Sequence, residues 1–453
     1  MKSSTDLNVN MNSNKKTVLM VWGPLPHSND PLVTPLCLDE FPEPRDVSFQ
    51  KWFQEGANAQ YLYSIRPSDQ PEVQSFWPTA MDIMIRVDGN FSNYEDSFLG
   101  VENTFKNKEL ILTKGDISKA KCTYQSAVLI AAGPSMNECW DKISNECLIV
   151  VCDVMLKKCL EKGVQPHIVV TTERISMTDE LFKDIPHDTL LVSTFMADPK
   201  GLNLWTGPHN FITRKDYPGR WYPLKKRKMI DAHASVVPTM IEMCGLLGIK
   251  NILLLGQDLC FKDGTSHADM GDALSHQKKE IEDFEATQLK VMVHCHDGVM
   301  RESTPIWTIM KEAIHDAGKA WHLNLSSASP MGAKIRDVPC VNPIEWYQQN
   351  SLGGDFNFQR NNKYEEEDRK AWDEKAVKTK NHFQRVAKNI GAHDPYGLLF
   401  DPNMHLITPM LVKTYVVYLN ECFQATNQGE ILEAKQKLIR VVLKAMKDVG
   451  ELL

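Results

Sequence analysis

Between Gln125 and Leu259 the chain alternates short apolar runs with segments of helical spacing, and no other feature constrains the fold as tightly. The runs AVLIAAG (127–133), CLIVVCD (147–153), HIVVTTE (167–173), TLLVSTF (189–195), NFIT (210–213) and NILLLGQDL (251–259) have no polar face. Strands of that kind are buried on both sides, as in parallel sheets covered by helices. Between them, a helical pattern follows Gly133 to about Ser144. VMLKKCLEKG (154–163) stops at Gly163, and ASVVPTMIEMCGLLG (234–248) also ends in Gly. The order strand, helix, strand predicts an α/β fold with a doubly wound parallel sheet.

The flanks read differently. Residues 1–16 are polar and Asn/Ser-rich and are expected to be a disordered tail. Residues 17–120 carry many prolines and few clean periods, and are expected to form a smaller N-terminal α/β or α+β domain. The catalytic domain is expected over 121–342. Its later part holds the strand-like VMVHCH (291–296) and a helix with Thr304 as N-cap, Pro305 first and Gly318 as stop. Residues 343–453 are expected to be a helical C-terminal region, with helices at about 364–390 and 408–450. A length of 453 residues suits two or three such domains.

Composition narrows the function classes. The net charge of −7 excludes an overall basic footprint for nucleic acid. Eleven scattered cysteines with no C-x-x-C pair argue against a zinc ribbon or disulfide framework and for a reducing compartment. With no apolar signal segment at the start and no run long enough to span a bilayer, the expected location is the cytoplasm, away from membranes.

In an open α/β sheet, ligands bind outside the carboxyl ends of the strands. Those ends carry Gly133-Pro134-Ser135, Asp153, Thr171-Thr172-Glu173, Ser193-Thr194 and Gly256-Gln257-Asp258. A tight Gly-Pro-Ser turn into a helix would favour a phosphate. Alternatively, Ser135 and Glu138 are spaced as a capping box. Asp153 and Glu173 could meet ribose hydroxyls or Mg²⁺, or Asp153 could cap the next helix. Asp258 leaves a buried strand, where a carboxylate is costly unless paired or used. Ser235 is placed to cap a helix or to meet an anion. Lys225-Lys226-Arg227-Lys228 reads as a solvated loop or a phosphate-attracting patch. His267 lies in the loop after Asp258, and His294 and His296 share one strand face. No metal-ligand spacing is evident, nor is a P-loop or a G-x-G-x-x-G turn.

The segments Val128–Met136, Ile149–Asp153 and Gly163–Glu173 resemble the motility-associated factor (Maf) glycosyltransferase family, whose domain is also called 6-hydroxymethylpterin diphosphokinase MptE-like. The likeness continues through His233–Thr239, Gly256–Ala268, Leu323–Leu325 and Met331–Ile335. It implies a Rossmann-like core similar to that of bacterial sialyltransferases. It also implies transfer of a nonulosonic acid, of the sialic, pseudaminic or legionaminic type, from a CMP-activated donor to Ser/Thr of a flagellin-like protein. On that analogy Gly133, Pro134 and Ser135 would hold the nucleotide phosphate and Asp258 would organise the donor pocket. Asp153, Glu173, Thr194, Ser235, Gly256 and Gln257 would complete the nucleotide and donor site. His267, and after it His296, would be the general base, since a neutral imidazole is suited to that task near pH 7. No cofactor is implied. Where the family usually has Asp, after Pro166, this chain has His167, and where it often has Gly this chain has Ala234. The alternatives are a pterin diphosphokinase using ATP and Mg²⁺, or a non-catalytic nucleotide-sugar-binding protein.

Overall fold

A computed structural model describes residues 17–21, 33–37, 61–62, 94–175, 178–215, 217–224, 227–231, 235–269, 290–390, 401–411, 414, 418 and 427–453. The expected 1–16 tail lies outside these residues, as does most of the stretch expected to form the N-terminal domain. The chain divides into two compact units. One comprises residues 1–98, 216–222 and 373–453, the other residues 99–215 and 223–372.

In the first unit, β1 (Thr17–Val21) lies between β2 (Val33–Cys37) and β3 (Tyr61–Leu62), parallel to both. The same unit holds the long C-terminal helix Gln428–Leu452. Asn427 caps this helix by accepting from the Glu430 N–H at 3.1 Å. The helix buries Ala434, Leu438, Val442, Ala445, Met446 and Val449, a spacing of one apolar face. The Tyr94 hydroxyl donates to Asp448 at 2.7 Å. A second long helix, Glu365–Lys388, lies at the expected segment 364–390, and its residues from Asp373 on belong to this unit.

The second unit contains the predicted sheet. Its strands are β4 (Gly115–Asp116), β6 (Ser126–Ile130), β7 (Leu148–Cys152), β8 (Ile168–Thr171), β9 (Leu190–Thr194), β10 (His209–Arg214), β11 (Met229–Ile230), β12 (Asn251–Leu255) and β15 (Asn324–Ser327). The order is β11-β10-β9-β8-β7-β6-β12-β15, with β4 also on β10, and every pairing is parallel. Two antiparallel pairs lie off it: β5 (Lys121–Cys122) with β16 (Phe356–Asn357), and β13 (Val291–His294) with β14 (Met300–Ser303). The central strands β6 to β9 are buried along their whole length, as their apolar runs require.

From β6 the chain steps outward to β11. It then returns through α1 (Val236–Leu246) to β12, on the other side of β6. The strand order therefore reverses between β6 and β12. The series β8-β7-β6-β12-β15 is the 3-2-1-4-5 order of a Rossmann-like sheet.

Local readings fare unevenly. Gly163 and Gly248 take left-handed backbone (φ +73° and +84°) where their helices stop. Thr304 caps α2 (Pro305–Ala320), accepting from the Trp307 N–H at 3.3 Å. Gly318 does not stop that helix, which runs on to Ala320. A Cβ at Gly318 would meet the Leu325 side chain at 2.6 Å, so the glycine lets α2 close onto β15. The segment after Gly133 forms two short 3₁₀ turns, Pro134–Glu138 and Trp140–Lys142, in place of the expected helix.

Candidate active site at the strand switch

The turns leaving β6 and β12 are joined bond by bond. The Ala131 N–H donates to the Leu255 carbonyl at 2.9 Å, and the Gly133 N–H to the Gly256 carbonyl at 2.7 Å. Beyond them the Asp258 carboxylate, 4% exposed, gathers three donors. The Ser135 N–H reaches Oδ2 at 2.6 Å and the Ser135 hydroxyl reaches Oδ1 at 2.6 Å. The Ser329 hydroxyl donates to Oδ1 as well. Ser329 follows β15, so Asp258 ties together the ends of three adjacent strands. These bonds answer the cost of a buried carboxylate directly.

Both glycines owe their identity to this closeness. Gly256 has φ +68°, and a Cβ there would meet the Ala131 carbonyl at 2.3 Å. Gly133 has an ordinary φ of −69°, yet its Cβ would meet the Gly256 carbonyl at 2.4 Å and Asp258 Oδ2 at 2.7 Å. Pro134, buried, opens the 3₁₀ turn. The Ser135–Glu138 capping box is not formed, because Ser135 bonds Asp258 and Glu138 pairs with Lys262. The donors of this turn are engaged within the protein: Gly133 and Ser135 as above, and the Met136 N–H on the Gly133 carbonyl at 3.0 Å. With no helix behind it, the turn also lacks the dipole that a phosphate-binding helix would supply.

The loop after β12 folds back over this turn. The Ala268 N–H donates to the Ala132 carbonyl at 2.7 Å, and the Asp269 N–H to the Asn137 side chain at 3.0 Å. His267 is thus held one residue from the turn, half-buried, with its Nδ1 2.7 Å from the Ser266 hydroxyl. His296 approaches from another side, its N–H donating to the Gly332 carbonyl at 3.1 Å. The neighbouring Ala333 N–H donates to the Asp258 carbonyl at 2.7 Å. The His296 Nε2 is buried with no hydrogen-bond partner. Burial, and then the charge of Lys334, lower the His296 pKa and keep its imidazole neutral. His294 is exposed on the same outward side of β13. Gln257 is buried, and its side-chain oxygen likewise has no partner.

The other rim residues lie along the sheet. Asp153 ends β7, accepting from the Thr171 hydroxyl of β8 at 2.6 Å and from the Val154 N–H at 2.9 Å. Burial raises its pKa, and the Thr171 bond pulls it back. Glu173 follows β8, and its carbonyl accepts from the Asp198 N–H at 2.8 Å. Thr194 ends β9, 2% exposed, its hydroxyl oxygen buried without a partner. β9 is three strand spacings from β6, about 14 Å, so Thr194 does not touch the Asp258 cluster. Ser235 caps α1, accepting from the Val237 N–H at 3.3 Å.

Three residues remain to be placed: His167, Arg227 and Ser329. His167 precedes β8 at the amino-terminal edge of the sheet, away from the donor rim. Its Nδ1 accepts from the Ile149 N–H at 3.0 Å, so in the neutral ring Nε2 carries the proton toward the Tyr124 hydroxyl 3.3 Å away. Arg227 is not a solvated loop cation: it donates to the Ile111 carbonyl at 2.7 Å and lies over the Phe195 ring. Lys225, Lys226 and Ala234 lie outside the described residues. The third is an omission. Ser329 was not singled out, although Ser327-Ala328-Ser329 closes the last strand and the strand-end rule would have found it. Among the described residues no group of three His, Cys, Asp or Glu is placed to hold a metal. No described helix is long and apolar enough to cross a membrane.

Fold and site together define a Rossmann-like α/β domain with the Asp258 cluster at the strand switch. Residues 101–264 match the family model described as 6-hydroxymethylpterin diphosphokinase MptE-like, a stretch that ends just beyond Asp258. Among solved structures, the chain is similar to a MAf glycosyltransferase from Magnetospirillum magneticum AMB-1. The identity is 14%, the TM-score 0.53, and the match covers 92% of this chain and 68% of the other. That likeness is one of fold, and it agrees with the family resemblance read from the motifs. No curated protein matches the chain in sequence.

Proposed function

We propose that the protein is a glycosyltransferase that moves a nonulosonic acid from a CMP-activated donor to a Ser or Thr hydroxyl of a protein such as flagellin. The observation that carries this reading is the meeting of the Gly-Pro-Ser turn and Asp258 at the strand switch, where such sheets take their ligands. The fold shared with a solved MAf glycosyltransferase supports it.

The chemistry fits the groups present. A CMP-sugar already carries a phosphate leaving group, so transfer needs a fixed donor, a base for the acceptor hydroxyl and exclusion of water. Gly133, Pro134, Ser135 and Gly256 shape the floor, and Asp258 locks it as a positioning group. Its carboxylate is occupied by three donors of the protein itself, which leaves the acceptor proton to another group. Gln257, buried and next to Asp258 in the chain, has an unpartnered amide oxygen to offer a ligand. Asp153, Glu173 and Thr194 continue the rim toward the donor's far end, and Ser235 caps a helix at the same rim. His267 or His296 takes the acceptor proton. The reaction written this way requires no cofactor, nucleic acid or membrane, and its partners are the nucleotide sugar and the protein acceptor, in the cytoplasm.

A second reading follows from the family description, with its diphosphokinase. ATP-dependent diphosphate transfer would need Mg²⁺ on carboxylates. Asp153 and Asp258 are both engaged by hydroxyl and N–H donors, which weighs against that use. Thermal-shift measurements with CTP, CMP and ATP, each with and without Mg²⁺, separate the readings. Stabilisation by CMP without metal supports the transferase, and stabilisation by ATP only with Mg²⁺ supports the kinase. Donor binding without turnover leaves a nucleotide-sugar-binding protein.

A further inference from the structure

We propose that Cys260 and Cys295 form a reversible dithiol–disulfide pair that staples the loop leaving β12 to the end of β13. Their sulfurs lie 3.9 Å apart, and both residues are buried. They share a small apolar cluster with Val293 and Ala333. Cys260 is two residues beyond Asp258 on the loop leaving β12, and Cys295 follows β13 directly. The segment Met331–Ala333 touches both. The Cys260 thiol donates to the Met331 carbonyl at 3.2 Å, and Cys295 bridges Ala333 in antiparallel fashion. The Ala333 N–H in turn holds the Asp258 carbonyl. A covalent link here would bind the β12 exit to the β13 hairpin around the segment that fixes the Asp258 backbone. This inference does not rest on the glycosyltransferase reading.

The oxidant is a low-molecular-weight disulfide. One cysteine thiolate attacks it, forming a mixed disulfide and releasing one small thiol. The second cysteine then attacks the protein sulfur and releases the other. Two S–H bonds are lost and one S–S bond is gained, while two electrons and two protons leave with the small thiols. The sulfurs must close from 3.9 Å to about 2.05 Å, a small movement of the loop. Burial, then the neighbouring Cys295, raise the Cys260 pKa, while the Arg301 side chain lies against Cys295. Attack needs a thiolate, so closure is faster in base than at neutral pH.

The test uses the full chain, incubated with oxidised glutathione and then mapped as peptides without reduction. A linked peptide containing Cys260 and Cys295 is expected. It should vanish with dithiothreitol, be absent from Cys260→Ser and Cys295→Ser, and form faster at about pH 9 than at neutral pH. Oxidation should raise the Tm of the wild type and not of either variant. Recovery of the two cysteines as free thiols or as separate glutathione adducts overturns the proposal. The mapping of the wild type decides the question even where a variant fails to fold.

Discussion

Ser135 presents two donors to Asp258, its N–H to Oδ2 and its hydroxyl to Oδ1, each at 2.6 Å. With the Ser329 hydroxyl added, one carboxylate joins the ends of β6, β12 and β15. The cluster is thus a structural knot at the place where a ligand would bind.

Replacing that carboxylate therefore affects stability as well as binding. Asp258→Asn turns an NH₂ group toward one of the donors, and the expected loss is about 2–4 kcal/mol. Ser135→Ala and Ser329→Ala each leave the charge buried with one donor fewer, at roughly 1–3 kcal/mol. Urea denaturation of the single and double variants measures this, and the two serines should show a non-additive coupling, since they share Oδ1. Additive effects, or an Asp258→Asn protein as stable as wild type, would remove the knot.

Gly133 answers to contact, not to backbone angle. Gly133→Ala drives a methyl against the Gly256 carbonyl and Asp258, and should destabilise the protein by about 1–3 kcal/mol with no ligand present. Gly163→Ala, with nothing within 4 Å but φ +73°, provides the contrast, a penalty from conformation alone. A Gly133→Ala protein with the wild-type midpoint contradicts the close approach.

The parts of the fold legible in the sequence were those set by burial over a whole element. AVLIAAG or CLIVVCD cannot sit anywhere but inside a covered sheet, and their order along the chain dictates the doubly wound path. What depended on a distant partner was not legible. Ser135 could be read as a cap because Glu138 stands at the right spacing, but Asp258, 123 residues on, takes its hydroxyl. Gly318 looked like a stop because nothing local shows that Leu325 packs against it. That His167 holds the Ile149 N–H and faces Tyr124 depends on partners 18 and 43 residues away, which its own segment does not show. Two-residue strands such as β4 and β16 are too short to leave a pattern.

Acid should expose a buried histidine. His209 is 3% exposed, with Nε2 2.8 Å from the Ser193 hydroxyl, and burial, then Lys114, push its pKa down to about 3. The unfolded value is about 6.5. Its contribution is therefore fully present above about pH 6.5 and is lost as pH falls toward 3. The stability difference between wild type and His209→Gln should shrink across that window. A difference independent of pH means that His209 is not held neutral.

The two candidate bases separate by pH–rate profile. A histidine base gives an acid limb in the profile. His296, its pKa lowered by burial, would place the limb below about 6.5. The limb should disappear in His267→Ala or in His296→Ala, in a protein that still binds CMP. If it survives in both, histidine is not the base.

Hydrogen exchange with and without CMP tests the placement of the site most directly. Binding at the strand switch predicts slower exchange in peptides covering 131–137 and 256–269, with the amino-terminal edge around His167 unchanged. Protection confined to other segments, or none at saturating CMP, contradicts it.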